Sequence, residues 1–324
     1  MASLVYFRPA FIAAASILLA RTAAAAPKVV AYVPNWGDLT ALTGRIDYPK
    51  VTHLNVAFEN PVDDTGALSF NAKNDALIAT AHEKGVKVFV SIGGGSASGD
   101  PVLKPRYFRL IAPERRIAFA RSLADYVVAH RFDGLDVDLE GPSINADYGG
   151  FIDALAAEFA PRKKSLTAAL SEGYGGKNVP DAALQRFEFI NIMAYDAAGY
   201  WNPNAPGPHS SLDFAKRCVA YWLHRGVPRD KAVLGVPFYG YGFGEAFRKR
   251  DYPYRDIVST FPGAEMADET GKTVYYNGIP TIKAKAAFAR TEKLGGVMIW
   301  SLDSDAPGEK SLLSALHGAL TSRQ

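Results

Sequence analysis

A chain of 324 residues with 48% hydrophobic content carries enough apolar material for one large core, and its length suits either two ordinary domains or one α/β barrel of about 250 residues plus extensions. Its 36 basic and 33 acidic residues nearly cancel, which excludes the strongly basic surface of a nucleic-acid-binding protein. A single cysteine, Cys218, excludes an internal disulfide framework, and its place in the helically periodic run Phe-Ala-Lys-Arg-Cys-Val-Ala-Tyr-Trp reads as a buried core thiol, not a nucleophile.

The first 26 residues hold Arg8, an apolar run from Phe11 to Ala20, and Thr22-Ala-Ala-Ala-Ala before Pro27. That is the order of a secretory leader, expected over 1–26 with cleavage between Ala23 and Ala26. A membrane anchor would need about 20 apolar residues, more than the run supplies. Removing the leader takes away Arg8 and Arg21 and leaves 34 basic against 33 acidic residues. The expectation is a secreted protein, extracellular or periplasmic, with no membrane association after cleavage.

From residue 27 onward, short β-rich apolar runs alternate with helical periodicity. Strands are expected at 28–33, 51–58, 86–92, 134–140, 165–171, 188–195, 232–238 and 296–302. Helices are expected at 73–84, 113–130, 147–160, 181–186, 212–225, 281–293 and 308–320. Eight strands with helices between them predict an α/β fold, a (β/α)8 TIM barrel, as a single catalytic domain over 27–324 that acts as a monomer. Residues 241–281, with the charged run Phe247-Arg-Lys-Arg-Asp and Gly/Pro turns but no clean helix, read as a short insertion between strands seven and eight.

A barrel's working groups stand at the carboxyl ends of its strands, and the fourth strand ends in Asp-Gly-Leu-Asp-Val-Asp-Leu-Glu, residues 133–140. Side chains alternate along a strand, so Asp136, Asp138 and Glu140 share one face while Leu135, Val137 and Leu139 share the other, against the helices. Burying three like charges costs several kcal/mol unless they share protons, find partners or do chemistry. Glu140, nearest the rim, is the natural proton donor, with partial burial and the Asp138 charge roughly 6.6 Å along the strand raising its pKa. Asp136, deeper in the barrel, would share a proton with Asp138. A retaining glycosidase of the ordinary kind places a nucleophilic carboxylate about 5–5.5 Å from the acid, on the far side of the sugar. Asp138, on the same face as Glu140, is badly placed for that and better suited to orienting or stabilising the substrate.

The octapeptide 133–140 resembles the DxxDxDxE signature of family 18 glycoside hydrolases, the chitinase family. Ser91-Ile-Gly-Gly94 resembles that family's strand-three motif, Met193-Ala-Tyr-Asp196 its strand-six motif, and Trp300 its strand-eight tryptophan. The resemblance spans about Val29 to Leu320 and implies hydrolysis of β-1,4-linked N-acetylglucosamine with net retention, the substrate's own N-acetyl group acting as nucleophile. It further implies catalytic roles for Glu140 as acid and then base, for Asp138 at the acetamide N–H, for Asp136 behind it, and for Tyr195 at the acetamide oxygen. Asp196 would line the same subsite, Trp300 would be its floor, and Met193, Trp36, Tyr32, Phe58 and Tyr239 are further candidates for substrate binding.

Two departures stand out. Leu139 and Gly141-Pro142 replace a tryptophan before the catalytic glutamate and a Tyr-Pro after it, and Tyr241 stands where many relatives carry an arginine. The insertion is about half the size found in deep-cleft chitinases, which implies a more open groove. The expected partner is a carbohydrate, an N-acetylglucosamine polymer or oligomer. No cofactor is expected, and the six histidines, at 53, 82, 130, 209, 224 and 317, lack metal-ligand spacing. Two alternatives remain open: an endo-β-N-acetylglucosaminidase acting on N-glycan or cell-wall glycan, and a non-catalytic chitin-binding lectin.

Overall fold

The computed structural model describes Met1 and residues 26–271 and 273–322. The expected leader therefore lies, apart from Met1 and Ala26, outside the described residues. Eight parallel strands close into a barrel in which each strand neighbours those before and after it in sequence. They are β1 (Lys28–Pro34), β2 (His53–Ala57), β3 (Lys87–Gly93), β4 (Gly134–Asp138), β5 (Ser165–Leu170), β6 (Ile190–Ile192), β7 (Ala232–Pro237) and β8 (Gly296–Trp300), with β8 pairing back onto β1.

Strands covered by helices outside and packed side chains inside must be apolar on both faces, and the two faces form two separate cores. Leu54, Val56, Val88, Val90, Leu135, Val137, Leu234 and Ile299 pack outward in the layer shared with the helices. Val30, Tyr32, Phe89, Phe189, Val233 and Met298 fill the barrel interior. Leu139 is buried in the outer layer, on the helix side as its alternation requires.

The main helices lie at Asn74–Glu83, Arg116–Ala129, Tyr148–Phe159, Leu212–His224, Ile279–Thr291 and Leu312–Thr321. Cys218 is fully buried on one of them. The expected strand 188–195 is only three residues long, because the chain leaves the ladder after Ile192 and carries Met193–Asp196 over the barrel mouth. Short helices also occur at Leu39–Thr43, Gly94–Gly99 and Leu103–Ile111, where none was expected.

The insertion is more ordered than its sequence suggests. Its segments Tyr239–Gly242, Tyr252–Pro253, Glu269–Thr270 and Val274–Tyr275 form a small sheet, and Tyr254–Thr260 is helical. A fully buried ammonium anchors its exit: Lys285 Nζ donates to Ser210 O, Ser210 Oγ and Asn277 Oδ1, each at 2.6 Å. Burial pushes the Lys285 pKa down to about 7. Ser210 Oγ in turn donates to the Ala194 carbonyl at 2.6 Å, so the same anchor steadies the segment that carries Tyr195 and Asp196.

At the end of β3 two glycines are required by close approach. Gly93 has φ +105°, and a Cβ there would lie 2.3 Å from the Asp138 carbonyl oxygen; at Gly94, φ +71°, it would lie 2.4–2.8 Å from the Phe58 ring. Only residues without a side chain let β3 turn against β4 and Phe58 at once.

Candidate active site

Asp136 is fully buried and accepts four side-chain hydrogen bonds from four other strands. Tyr32 Oη and Ser91 Oγ donate to Oδ2 at 2.6 and 2.8 Å, while Thr167 Oγ1 and Asn191 Nδ2 donate to Oδ1 at 2.7 and 3.2 Å. Burial raises its pKa, and these four donors oppose the rise. Asp138, two residues nearer the mouth and 3% exposed, receives no such support; its Oδ1 has no hydrogen-bond partner among the described residues. Burial first, then the charges of Glu140 and Asp136, hold its pKa well above the carboxylate range. Between the two, Asp138 is the one that carries the proton.

Glu140 follows the end of β4 and is partly exposed at the barrel mouth. Its backbone is held by Ser98 Oγ, which donates to the Glu140 carbonyl at 2.9 Å. Burial, and secondly the charge of Asp196, push its pKa up to about 7. The expected cause, the charge of Asp138, is corrected here: a protonated Asp138 adds no charge, and the neighbouring anion comes from the segment after β6.

That segment places Tyr195 and Asp196 beside the acids. Tyr195 is 8% exposed, and among the described residues its hydroxyl meets only Met298 Sδ, at 3.8 Å, a weak acceptor that a better one could replace. Burial raises its pKa, so the hydroxyl keeps its proton. Met193 lies alongside, almost buried. Asp196 Oδ1 accepts from Tyr239 Oη at 2.5 Å and Tyr241 Oη at 3.0 Å. Beneath them, His209 Nε2 donates to the Tyr239 carbonyl at 3.2 Å, leaving Nδ1 to accept from the Asp196 N–H at 3.5 Å.

Across the mouth, on β8 and just after β1 and β2, aromatic rings form a row. Trp300 stacks on Phe58 with centroids 5.7 Å apart and 24° between planes, and Phe58 stacks on Trp36 at 6.3 Å and 22°. Trp36 ends the row with 66% of its surface exposed, while Tyr32 supports Trp300 from below at 5.3 Å.

The match to the sequence model for glycosyl hydrolases family 18 runs over residues 28–305. The chain belongs to glycosyl hydrolase family 18. Among solved structures it is similar to the family 18 chitinase ChiB of Flavobacterium johnsoniae, at 39% identity and TM-score 0.85 over 91% of this chain and 94% of that one. Among characterised sequences it is 30% identical to a chitinase-like effector of Moniliophthora roreri, over 77% of this chain and 70% of the relative. It is 26% identical to an endochitinase of Manduca sexta, over 91% of this chain and 68% of the relative.

In this family 18 chain, the structure brings Glu140, Asp138, Asp136, Tyr195, Asp196, Met193, Phe58 and Trp300 together at one end of the barrel. Two expected binding residues are placed differently. Tyr32 is 1% and Tyr239 4% exposed, and each spends its hydroxyl on a carboxylate, Asp136 and Asp196 respectively. Through those bonds they hold the acids. Tyr241, the departure from the family pattern, shares that task. Thr167, Asn191, Ser98 and His209 were not singled out from sequence. For Thr167 and Asn191 a signal existed: each is a polar residue at an inward position of an otherwise apolar strand.

Proposed function

We propose that the protein is a secreted glycosidase that hydrolyses β-1,4-linked N-acetylglucosamine polymers or oligomers with net retention, the substrate's acetamide serving as nucleophile. One observation carries the reading: beside a proton donor held up at about 7, a buried aspartate presents an oxygen with no partner among the described residues. An acetamide N–H is the kind of neutral donor that would satisfy that atom, as an unpaired buried acceptor requires. Export is supported by the order of charges and apolar residues in 1–26.

In the first step Glu140 gives its proton to the glycosidic oxygen. The bond from that oxygen to the anomeric carbon breaks as the acetamide oxygen bonds to the same carbon, giving a cyclic oxazolinium cation and a free sugar hydroxyl. Asp138 holds the acetamide N–H, and its proton passes to Asp136, whose raised pKa lets it take one. The Tyr195 hydroxyl donates to the acetamide oxygen and aligns it. In the second step Glu140, now a carboxylate, takes a proton from water as that water attacks the anomeric carbon and the ring opens. Two inversions restore the β configuration.

The test is product analysis by proton NMR on a panel of N-acetylglucosamine oligomers and an N-glycopeptide. The β-anomer should appear first. An α-anomer as first product would exclude the neighbouring-group mechanism, no hydrolysis of any panel member would favour a lectin, and cleavage of the glycopeptide alone would favour an endo-β-N-acetylglucosaminidase. The exposed end of the aromatic row adds a smaller expectation. Trp36→Ala should raise KM roughly two- to tenfold for pentamers and longer substrates, the worth of one stacking contact. It should leave kcat and the thermal midpoint in place, because the ring contributes little to the core.

A further inference from the structure

The residue after the proposed acid has no side chain, and the space it leaves is filled by a ring from the next loop. Gly141 has φ +49°, and a Cβ there would lie 2.2–2.7 Å from the Tyr174 ring. Its N–H donates to the Tyr174 carbonyl at 3.2 Å. Gly175 makes the reciprocal approach: at φ +85°, its Cβ would lie 2.7–2.8 Å from the Gly141 backbone. Ser171 Oγ accepts from the Tyr174 N–H at 3.2 Å. The loops after β4 and β5 are thus locked backbone to backbone. Tyr174 is thrown over Gly141 in a fixed position with 49% of its surface exposed, a costly exposure for an aromatic ring that a ligand would relieve.

We infer that Tyr174 is a specificity-determining residue that forms the leaving-group wall of the cleft, a platform for the apolar face of the N-acetylhexosamine immediately beyond the scissile bond. The inference rests on the proposed function, because an acid that protonates the leaving oxygen must stand beside the leaving sugar. Tyr174 packs on the residue next to that acid. The row of Trp36, Phe58 and Trp300 lies on β8 and just after β1 and β2, on the opposite side of the barrel from β4 and β5. The two aromatic surfaces therefore flank the acids from opposite walls, and Tyr174 supplies the one nearer Glu140. The ring also compensates for Gly141-Pro142, which breaks the family pattern at that point.

The test is calorimetric binding in a Glu140→Gln background, with two ligands that share the sugar held by the acids. One is the N-acetylglucosamine pentamer; the other is chitobiose thiazoline, a mimic of the cyclic intermediate with no leaving sugar. Tyr174→Ala should weaken pentamer binding roughly fivefold and leave thiazoline binding within about twofold, while Tyr174→Phe should bind both like the parent. An unchanged pentamer affinity, or equal losses for the two ligands, would overturn the assignment; equal losses would mean that the ring only props the loop behind Glu140. Hydrolysis of the pentamer by the unmutated protein reads the proposed function separately. If that hydrolysis is absent and the binding pattern holds, the platform stands and the glycosidase reading falls.

Discussion

Replacing Glu140 with glutamine should lower kcat on N-acetylglucosamine oligomers by about 10²–10⁴-fold, the usual worth of a positioned acid and base, with little change in KM. Glutamine keeps the shape of the side chain but can neither give the proton that expels the leaving sugar nor take one from water. The pH profile of the unmutated protein reads the same group. The donor must be protonated, so kcat/KM should fall as pH rises through about 7. Asp196 is the second cause of that elevation; removing its charge in Asp196→Asn should move the alkaline limb to lower pH. A limb that stays in place in that variant would separate Asp196 from Glu140, and a Glu140→Gln protein with full activity would falsify the assignment of the acid.

Asp138→Asn should move stability and activity in opposite directions. Asp138 has a folded-state pKa raised above its ordinary value of 3.8 by burial and by Glu140 and Asp136, so at neutral pH the folded protein holds a proton that the unfolded chain releases. Stability from this group is fully present below the ordinary carboxylate value and declines as pH rises from there through the folded pKa. Asparagine has the shape and hydrogen-bonding pattern of the protonated acid and no proton to lose. The thermal midpoint at pH 7 should therefore rise by a few degrees, roughly what 1 kcal/mol or somewhat more is worth in a domain of this size. The gain should vanish near pH 3–4 while kcat falls, as expected where a group kept for activity costs stability. An equal or lower midpoint at pH 7 would show that the buried carboxylate costs nothing.

The barrel was legible because its strands are short, apolar runs rich in β-branched residues, separated by helical periodicity. In β4 the alternation sorted Asp136 and Asp138 inward and Leu135, Val137 and Leu139 outward, as found. What the reading missed is what periodicity does not encode. Gly-Gly-Ser-Ala-Ser-Gly, 94–99, has poor helix propensity and is nonetheless helical. The insertion's strands are two to four residues long and are held by pairing across 3 to 33 intervening residues. Tyr32 and Tyr239 sit at strand ends, where a sequence suggests cleft exposure, yet both turn their hydroxyls onto carboxylates that reach them from distant strands. The donors to Asp136 come from 31 to 104 residues away, a distance at which no local pattern speaks.

That same carboxylate has a consequence for how the chain reaches its fold. Tyr32 belongs to β1, Ser91 to β3, Asp136 to β4, Thr167 to β5 and Asn191 to β6, so five of the eight strands meet at two oxygen atoms. A slip of one residue in any of them would turn its donor outward, among the helices, and leave the aspartate under-supported in an apolar interior. Misregistered barrels are penalised at their centre, where hydrophobic packing alone would discriminate least between one aliphatic side chain and another. The group that readies the site for chemistry thus also selects the one alignment of strands in which the site exists.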